Sequence, residues 1–289
     1  MRKKFYIFFI TIIAASIHAN AQWIDLGSHF PDTINTACLP DIFCFGDTLW
    51  IPSCTNANVL YYSTNGGMSF AVKPTPAQFN AVHFLSPTLG YAAFQDGRVC
   101  KTVNAGSTWT IHGLAGSAAY NITFPPHSDT GWVCGYWGHI HQVKPAGVSP
   151  NFGVFTSSMM SLSFSDTEHG WVCGGAIIQP YQNNAWGGNQ TYPFGGWNDI
   201  FFINDSIGWA VGDFIYTSTG LIHTTNGADW ISDANPVSEG CYAILFLNEL
   251  EGWVGSYAGT VLHSTNGGNT WYVDNASSIC WGLGLRNTV

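Results

Sequence analysis

Charge is what this 289-residue chain has least of: charged side chains make up 9% of it, against 46% hydrophobic residues. Cations are scarcer still, eight against 17 acids, and three of the eight, Arg2, Lys3 and Lys4, fall at the N-terminus. Beyond them stand only Lys73, Arg98, Lys101, Lys144 and Arg286. Nucleic acid and anionic membranes, which need clustered positive charge, are thereby excluded as partners. No later run is long and apolar enough for a membrane span. The eight cysteines show no CxxC and no Cys/His zinc spacing, so neither a metal nor any other cofactor is called for.

The first 21 residues combine the cationic start with an apolar run from Phe5 to Ala15 and the small pair Ala19 and Ala21. That pattern predicts a secretory signal peptide cleaved before Gln22. Residues 22–289 are then one exported domain, expected as a monomer outside the cell, on its surface or in a periplasm. Such a compartment permits disulfides. Cys38, Cys44 and Cys54 crowd one stretch where a local bridge and free thiols are both open.

Aromatic residues (15%) and 33 glycines dominate what remains, a composition of strands and turns. A unit of apolar strand, polar turn and Gly-aromatic recurs as "VHFLSPTLGY", "ITFPPHSDTGW", "LSFSDTEHGW", "IFFINDSIGW" and "ILFLNELEGW". Its phenylalanines, Phe84, Phe124, Phe164, Phe202 and Phe246, lie 40, 40, 38 and 44 residues apart. A period near 40 with four strands per unit predicts an all-β propeller, with six four-stranded blades visible from about Asp41 onward.

"QWIDLG" (22–27) matches the fourth strands and "CWGLGLRN" (280–287) the first strands. The sequence therefore predicts an incomplete seventh blade closed by the N-terminal strand, with roughly 25 residues missing from a ring cut short at its C-terminus.

A second motif follows each third strand: "YSTNGGMSF", "KTVNAGSTW", "HTTNGADW" and "HSTNGGNTW", with worn copies in the third and fourth units. Asn65, Gly67, Asn104, Gly106, Asn226, Asn266 and Gly268 suit a hairpin corner, since Asn bonds its own backbone and Gly supplies positive φ. Written S/T-x-N-x-G-x-T-W, the motif resembles the Asp-box of bacterial-neuraminidase-type (BNR) repeats, with Asn in place of Asp. Together with the "GWAVG"-like strands it is most similar to the photosystem II assembly and stability factor branch. The resemblance covers residues 22–289 and implies a secreted binding scaffold. That branch's arginine-rich patch is missing, since Arg98 and Arg286 stand alone. Sialidase relatives clamp a carboxylate with three arginines, which two cannot supply.

Residues recurring in phase are architectural, and off-phase residues are the informative ones. Cys134 and Cys173 occupy one small strand position; Cys241 and Cys280 are likewise equivalent. His223 and His263 end strands. His139 and His141 share a strand face without a third ligand, so no metal is assigned. Asp129, Asp166, Glu168, Asp205, Glu249 and Glu251 fall in first-to-second-strand turns, and no catalytic residue is assigned. The ligand candidates are aromatics just before each inner strand, Phe79, Tyr120, Trp197, Tyr242 and Trp281, which either ring one mouth of a channel or pack between blades. The segment Pro180 to Asp199 adds amides and aromatics. The function predicted is a non-catalytic scaffold for an unknown protein or glycan; the alternative is a carbohydrate-active enzyme on the same fold.

Overall fold

A computed structural model describes residues 3–7, 13–16, 41–53, 58–152, 155–187, 196–213, 220–257, 259–276 and 283–286, with the side chains of 3–7, 13–16 and everything from 275 onward excluded. Six antiparallel sheets of four strands follow one another along the chain, each strand hydrogen-bonded to the next in sequence. Their inner strands are Phe43–Phe45, Phe79–Phe84, Ala119–Thr123, Ser161–Phe164, Gly196–Phe202 and Cys241–Phe246. This is a six-bladed propeller with four-stranded blades, and the one helical element among the described residues is a short turn at Tyr136–Gly138. No helix among the described residues is long and apolar enough to cross a membrane.

The recurring phenylalanine and Gly-Trp explain why the blades stack. Within a blade, the phenylalanine ending the inner strand lies opposite the glycine opening the second, as in Phe84↔Gly90, Phe202↔Gly208 and Phe246↔Gly252. The ring lies so close over that glycine that a Cβ at Gly90, Gly208 or Gly252 would meet it at 2.5 Å. Glycine is needed there for space, not for its dihedral freedom.

The ring's other face receives the aromatic of the preceding blade. Centroids lie 3.9 Å apart for Trp50–Phe84, 3.4 Å for Trp171–Phe202 and 3.5 Å for Trp209–Phe246, with planes within 16°. Each indole then donates its Nε1–H to the next blade's Asn-Gly corner: Trp50 to the Ala105 carbonyl, Trp171 to Gly227 and Trp209 to Gly267. The corner tryptophans Trp230 and Trp271 meet Phe202 and Phe246 edge-on at 86°. In the fourth blade, Trp186 packs the same way on Phe164. The cores of the second to sixth blades are thus completed by the preceding blade, so any of them alone would expose its stacking ring.

The corner is a hydroxyl–amide clasp. Ser63 Oγ accepts the N–H groups of Asn65 and Gly67 and donates to Asn65 Oδ1, which also accepts from the Ser69 backbone. The set repeats at Thr102, Asn104, Gly106 and Thr108, and at Ser264, Asn266, Gly268 and Thr270. Asn226 closes a shorter version. Gly67, Gly106 and Gly268 take φ of 83°, 83° and 93°, the region the motif requires.

Between the sixth and first blades lies the C-terminal strand Leu283–Arg286, packed beside both inner strands. It pairs antiparallel with Lys3–Ile7, which pairs in turn with Ile13–Ser16. An N-terminal strand does meet the C-terminal one, but it is Lys3–Ile7, in the cationic and apolar stretch that opens the chain. The predicted partner, 22–27, lies outside the described residues, as do Cys38, Cys54 and Cys280.

Candidate functional site

The inner strands surround a cavity of about 570 Å³. What faces it is set by a repeated irregularity. The register between first and second strands slips between Phe79 and Ala81, Ala119 and Asn121, Trp197 and Asp199, and Cys241 and Ala243. A bulge leaves one residue unpaired and re-aims it. The residues skipped are Asn80, Tyr120, Asn198 and Tyr242, and with Met160 of the fourth blade they line the channel. Glycines stand opposite: a Cβ at Gly135, Gly174 or Gly212 would strike the backbone of Ala118, Ser158 or Gly196.

This places the predicted aromatics in two groups. Tyr120 and Tyr242 line the channel, half-buried, and burial raises both phenol pKa values, with Tyr136 and Asp213 respectively adding to it. Phe79 and Trp197 sit one residue earlier and are 0% and 3% exposed, packed between blades rather than on the rim. Alternation counted from the sequence treats all four alike; the bulge separates them. Trp281 lies outside the described residues.

The two bulge asparagines are built identically. Asn80 Nδ2 donates to Gln95 Oε1 (2.7 Å) and to the Ala119 carbonyl of the next blade (2.8 Å). Asn198 Nδ2 donates to Asp213 Oδ1 (3.3 Å) and to the Cys241 carbonyl (3.0 Å). Each side chain is thereby pinned, and each is followed in the next blade by a tyrosine. Around them Tyr136, Trp137 and Tyr257 are exposed, Tyr257 with its ring 5.9 Å from Tyr242. Trp137 is held at φ 58°, in a loop tied by Tyr136 N–H to the Ala118 carbonyl and Ser117 Oγ to the Tyr136 carbonyl. A bulky residue in that conformation is strained, and the loop fixes it.

One residue further along the strands lie two aspartates that sequence reasoning did not single out as a site. Asp41 accepts its neighbour Ile42 N–H at Oδ1 and the next blade's Val82 N–H at Oδ2. Asp199 repeats this with Ile200 and Ile244, and also accepts from Ser161 Oγ at 2.7 Å. Each carboxylate clasps two blades by satisfying an inner-edge amide. Burial pushes Asp41 up to about 7 and Asp199 to about 6, and Asp199 adds to the rise at Asp41. Their matching position, three residues before the residue that pairs near the start of the second strand (Cys44 opposite Leu49, Phe202 opposite Gly208), was the available signal. His83, between the rings of Phe43 (4.6 Å) and Phe124 (5.3 Å), is driven by burial down to about 3 and is neutral.

Several positions outside the channel hold turns and strands. Asp166, Asn204 and Asn248 each accept two backbone N–H groups within first-to-second-strand turns. His139 and His141 each engage a backbone carbonyl through Nδ1, that of Ala115 and Ser149. His223 pairs with buried Asp233 at 2.6 Å. Cys134 and Cys173 are buried thiols whose pKa values burial pushes well up.

Fold and channel together define a propeller with a polar–aromatic mouth. No protein-family profile matches the chain, and no curated protein matches it by sequence. Solved structures do. YCF48 bound to D1 peptide superposes with a TM-score of 0.63 at 17% identity, covering 81% of this chain and 80% of that one. YCF48 from Cyanidioschyzon merolae gives 0.60 at 16%, covering 79% and 82%. The WD40 β-propeller domain of Doa1 gives 0.67 at 12%, covering 84% of each chain. At these identities the likeness is one of fold.

Proposed function

We propose that this chain is an exported, non-catalytic scaffold that grips a segment of another protein at the mouth of its channel. The observation that carries this is the bulge ring: pinned asparagines next to half-buried tyrosines, opening onto a cavity. Rigid aromatic and amide groups around a concavity suit protein recognition at low ordering cost. That one propeller of similar fold is described as bound to a peptide supports the choice of partner. On this view the Ser/Thr-Asn-Gly turns are Asp-box-type corners, and residues 1–21 direct export.

A peptide array and a glycan array probed with the exported chain test this. Peptides should bind, and Tyr120→Ala and Tyr242→Ala should each weaken binding by about tenfold, a hot-spot loss, without changing the unfolding midpoint. Selective glycan binding lost on the same substitutions would move the scaffold to sugars; binding untouched by either would sink it.

The carbohydrate-active alternative rests on Asp41 and Asp199, whose raised pKa values suit acid chemistry. Against it, both oxygens of each carboxylate already accept backbone N–H groups. Glycan turnover abolished by Asp199→Asn would establish it.

A further inference from the structure

We propose that the segment held in the channel presents a lysine or arginine side chain, which passes the bulge ring and sets its cationic head between Asp41 and Asp199. This rests on the scaffold function above and names the chemistry of its partner. The channel lining contains two aspartates and no lysine or arginine, and neither aspartate has an ion-pair partner among the described residues. Buried carboxylates are ordinarily paired, because their desolvation is otherwise uncompensated. Backbone amides, joined at Asp199 by the Ser161 hydroxyl, supply only part of that compensation here.

A second observation points the same way. Asn121, on the third blade at the position equivalent to the two aspartates, lines the channel, and its Oδ1 is buried with no hydrogen-bond partner. The unmet demand at this depth is for donors. An ammonium brings three and a guanidinium five, on an apolar stem matched to the rings of Tyr120 and Tyr242 at the entrance. A sugar hydroxyl brings one donor and no charge.

Occupancy should be linked to protons. The titratable groups around the two aspartates are His83, Tyr120 and Tyr242 on the lining and Cys173 behind Asp199; Arg286 lies on the strand packed beside the first blade. His83 is neutral above about pH 3 and the phenols are protonated, so between pH 5 and 8 it is the aspartates that change charge. Their ionised forms are scarce at about pH 5 and dominant at about pH 8, so a cation binds better as pH rises and expels protons as it does so.

The test is isothermal titration with an acetylated, amidated pentapeptide carrying one lysine among glycines and alanines, beside the same peptide with ε-acetyl-lysine. The lysine peptide should bind about tenfold more tightly than the acetylated one at about pH 8. That advantage should shrink by about tenfold at about pH 5. Near pH 6.5, two buffers of different ionisation enthalpy should reveal proton release. Asp199→Asn should remove the lysine preference; because the wild-type comparison needs no variant, poor folding of the mutant would not rescue the idea. Equal binding of the two peptides overturns it while leaving the scaffold function standing. Failure of both at millimolar concentration also overturns it, and an empty peptide array would remove the scaffold function as well. Calcium ion competing away the lysine peptide at micromolar concentration would assign the aspartates to a metal instead.

Discussion

Gly208→Ala tests how one blade is completed by the next. The added methyl would meet Phe202 Cε1 at 2.5 Å, about an ångström inside ordinary carbon contact. The ring has nowhere to retreat: its far face lies 3.4 Å from Trp171 with planes 3° apart, and that indole is tethered through Nε1 to the Gly227 carbonyl. Overpacking of this kind costs about 1–3 kcal/mol, read as a lower urea midpoint at unchanged slope or a fall of about 2–8 °C in Tm for a domain of this size. In a Phe202→Ala background, which itself costs about 3–5 kcal/mol, the methyl has room. There Gly208→Ala should be neutral or slightly stabilising, giving a coupling of about 1–3 kcal/mol between the sites. A neutral Gly208→Ala in the wild type, or an equal penalty in both backgrounds, would refute the steric reasoning.

Three further outcomes are expected. Asp41 has its pKa raised from 3.8 to about 7, so its stabilising contribution is full below 3.8 and is lost as pH rises to 7, by up to about 4 kcal/mol; relative to Asp41→Asn, wild-type stability should therefore fall over that window, and parallel pH curves would contradict it. The comparison cancels His83, whose stabilising contribution runs the other way, present above 6.5 and lost as pH falls toward about 3. Thr102→Val strands the Gly106 and Asn104 N–H groups and should cost about 1–3 kcal/mol in urea unfolding, whereas Asn104→Asp, which keeps the Oδ1 acceptor and needs only the Thr108 hydroxyl to turn, should change it by less than about 0.5 kcal/mol. Cys134, Cys173 and Cys241, buried thiols with raised pKa values, should react with a thiol reagent only as fast as the protein unfolds; rapid labelling of the native state would show the strands opening.

Much of the architecture was legible because its causes repeat. The spacing of Phe84, Phe124, Phe164, Phe202 and Phe246 exposes the blade period since a stacking ring recurs from blade to blade, and the corner motif recurs where it also accepts a neighbour's indole, at Ala105, Gly227 and Gly267. The site was half legible. Tyr120 and Tyr242 stood out as aromatics beside inner strands, but so did Phe79 and Trp197, because a bulge adds a residue without leaving a mark in composition. Asp41 and Asp199 were hidden differently. Acids in a strand-and-turn chain are ordinarily turn residues, as Asp166 is, and only the blade-to-blade amide bonds set these two apart.

The most direct measurement is a titration of the exported chain with an array-selected peptide, followed through the ring resonances of Tyr120 and Tyr242 and the methyl of Met160. These lie on three different blades around one mouth. A partner held there shifts all three together along a single saturation curve, and Tyr120→Ala moves the curve read at Tyr242 to about tenfold higher peptide concentration. Binding that saturates while all three resonances stay still, with changes confined to an outer face such as the Asn-Gly corners, would contradict the assignment of the channel as the binding site.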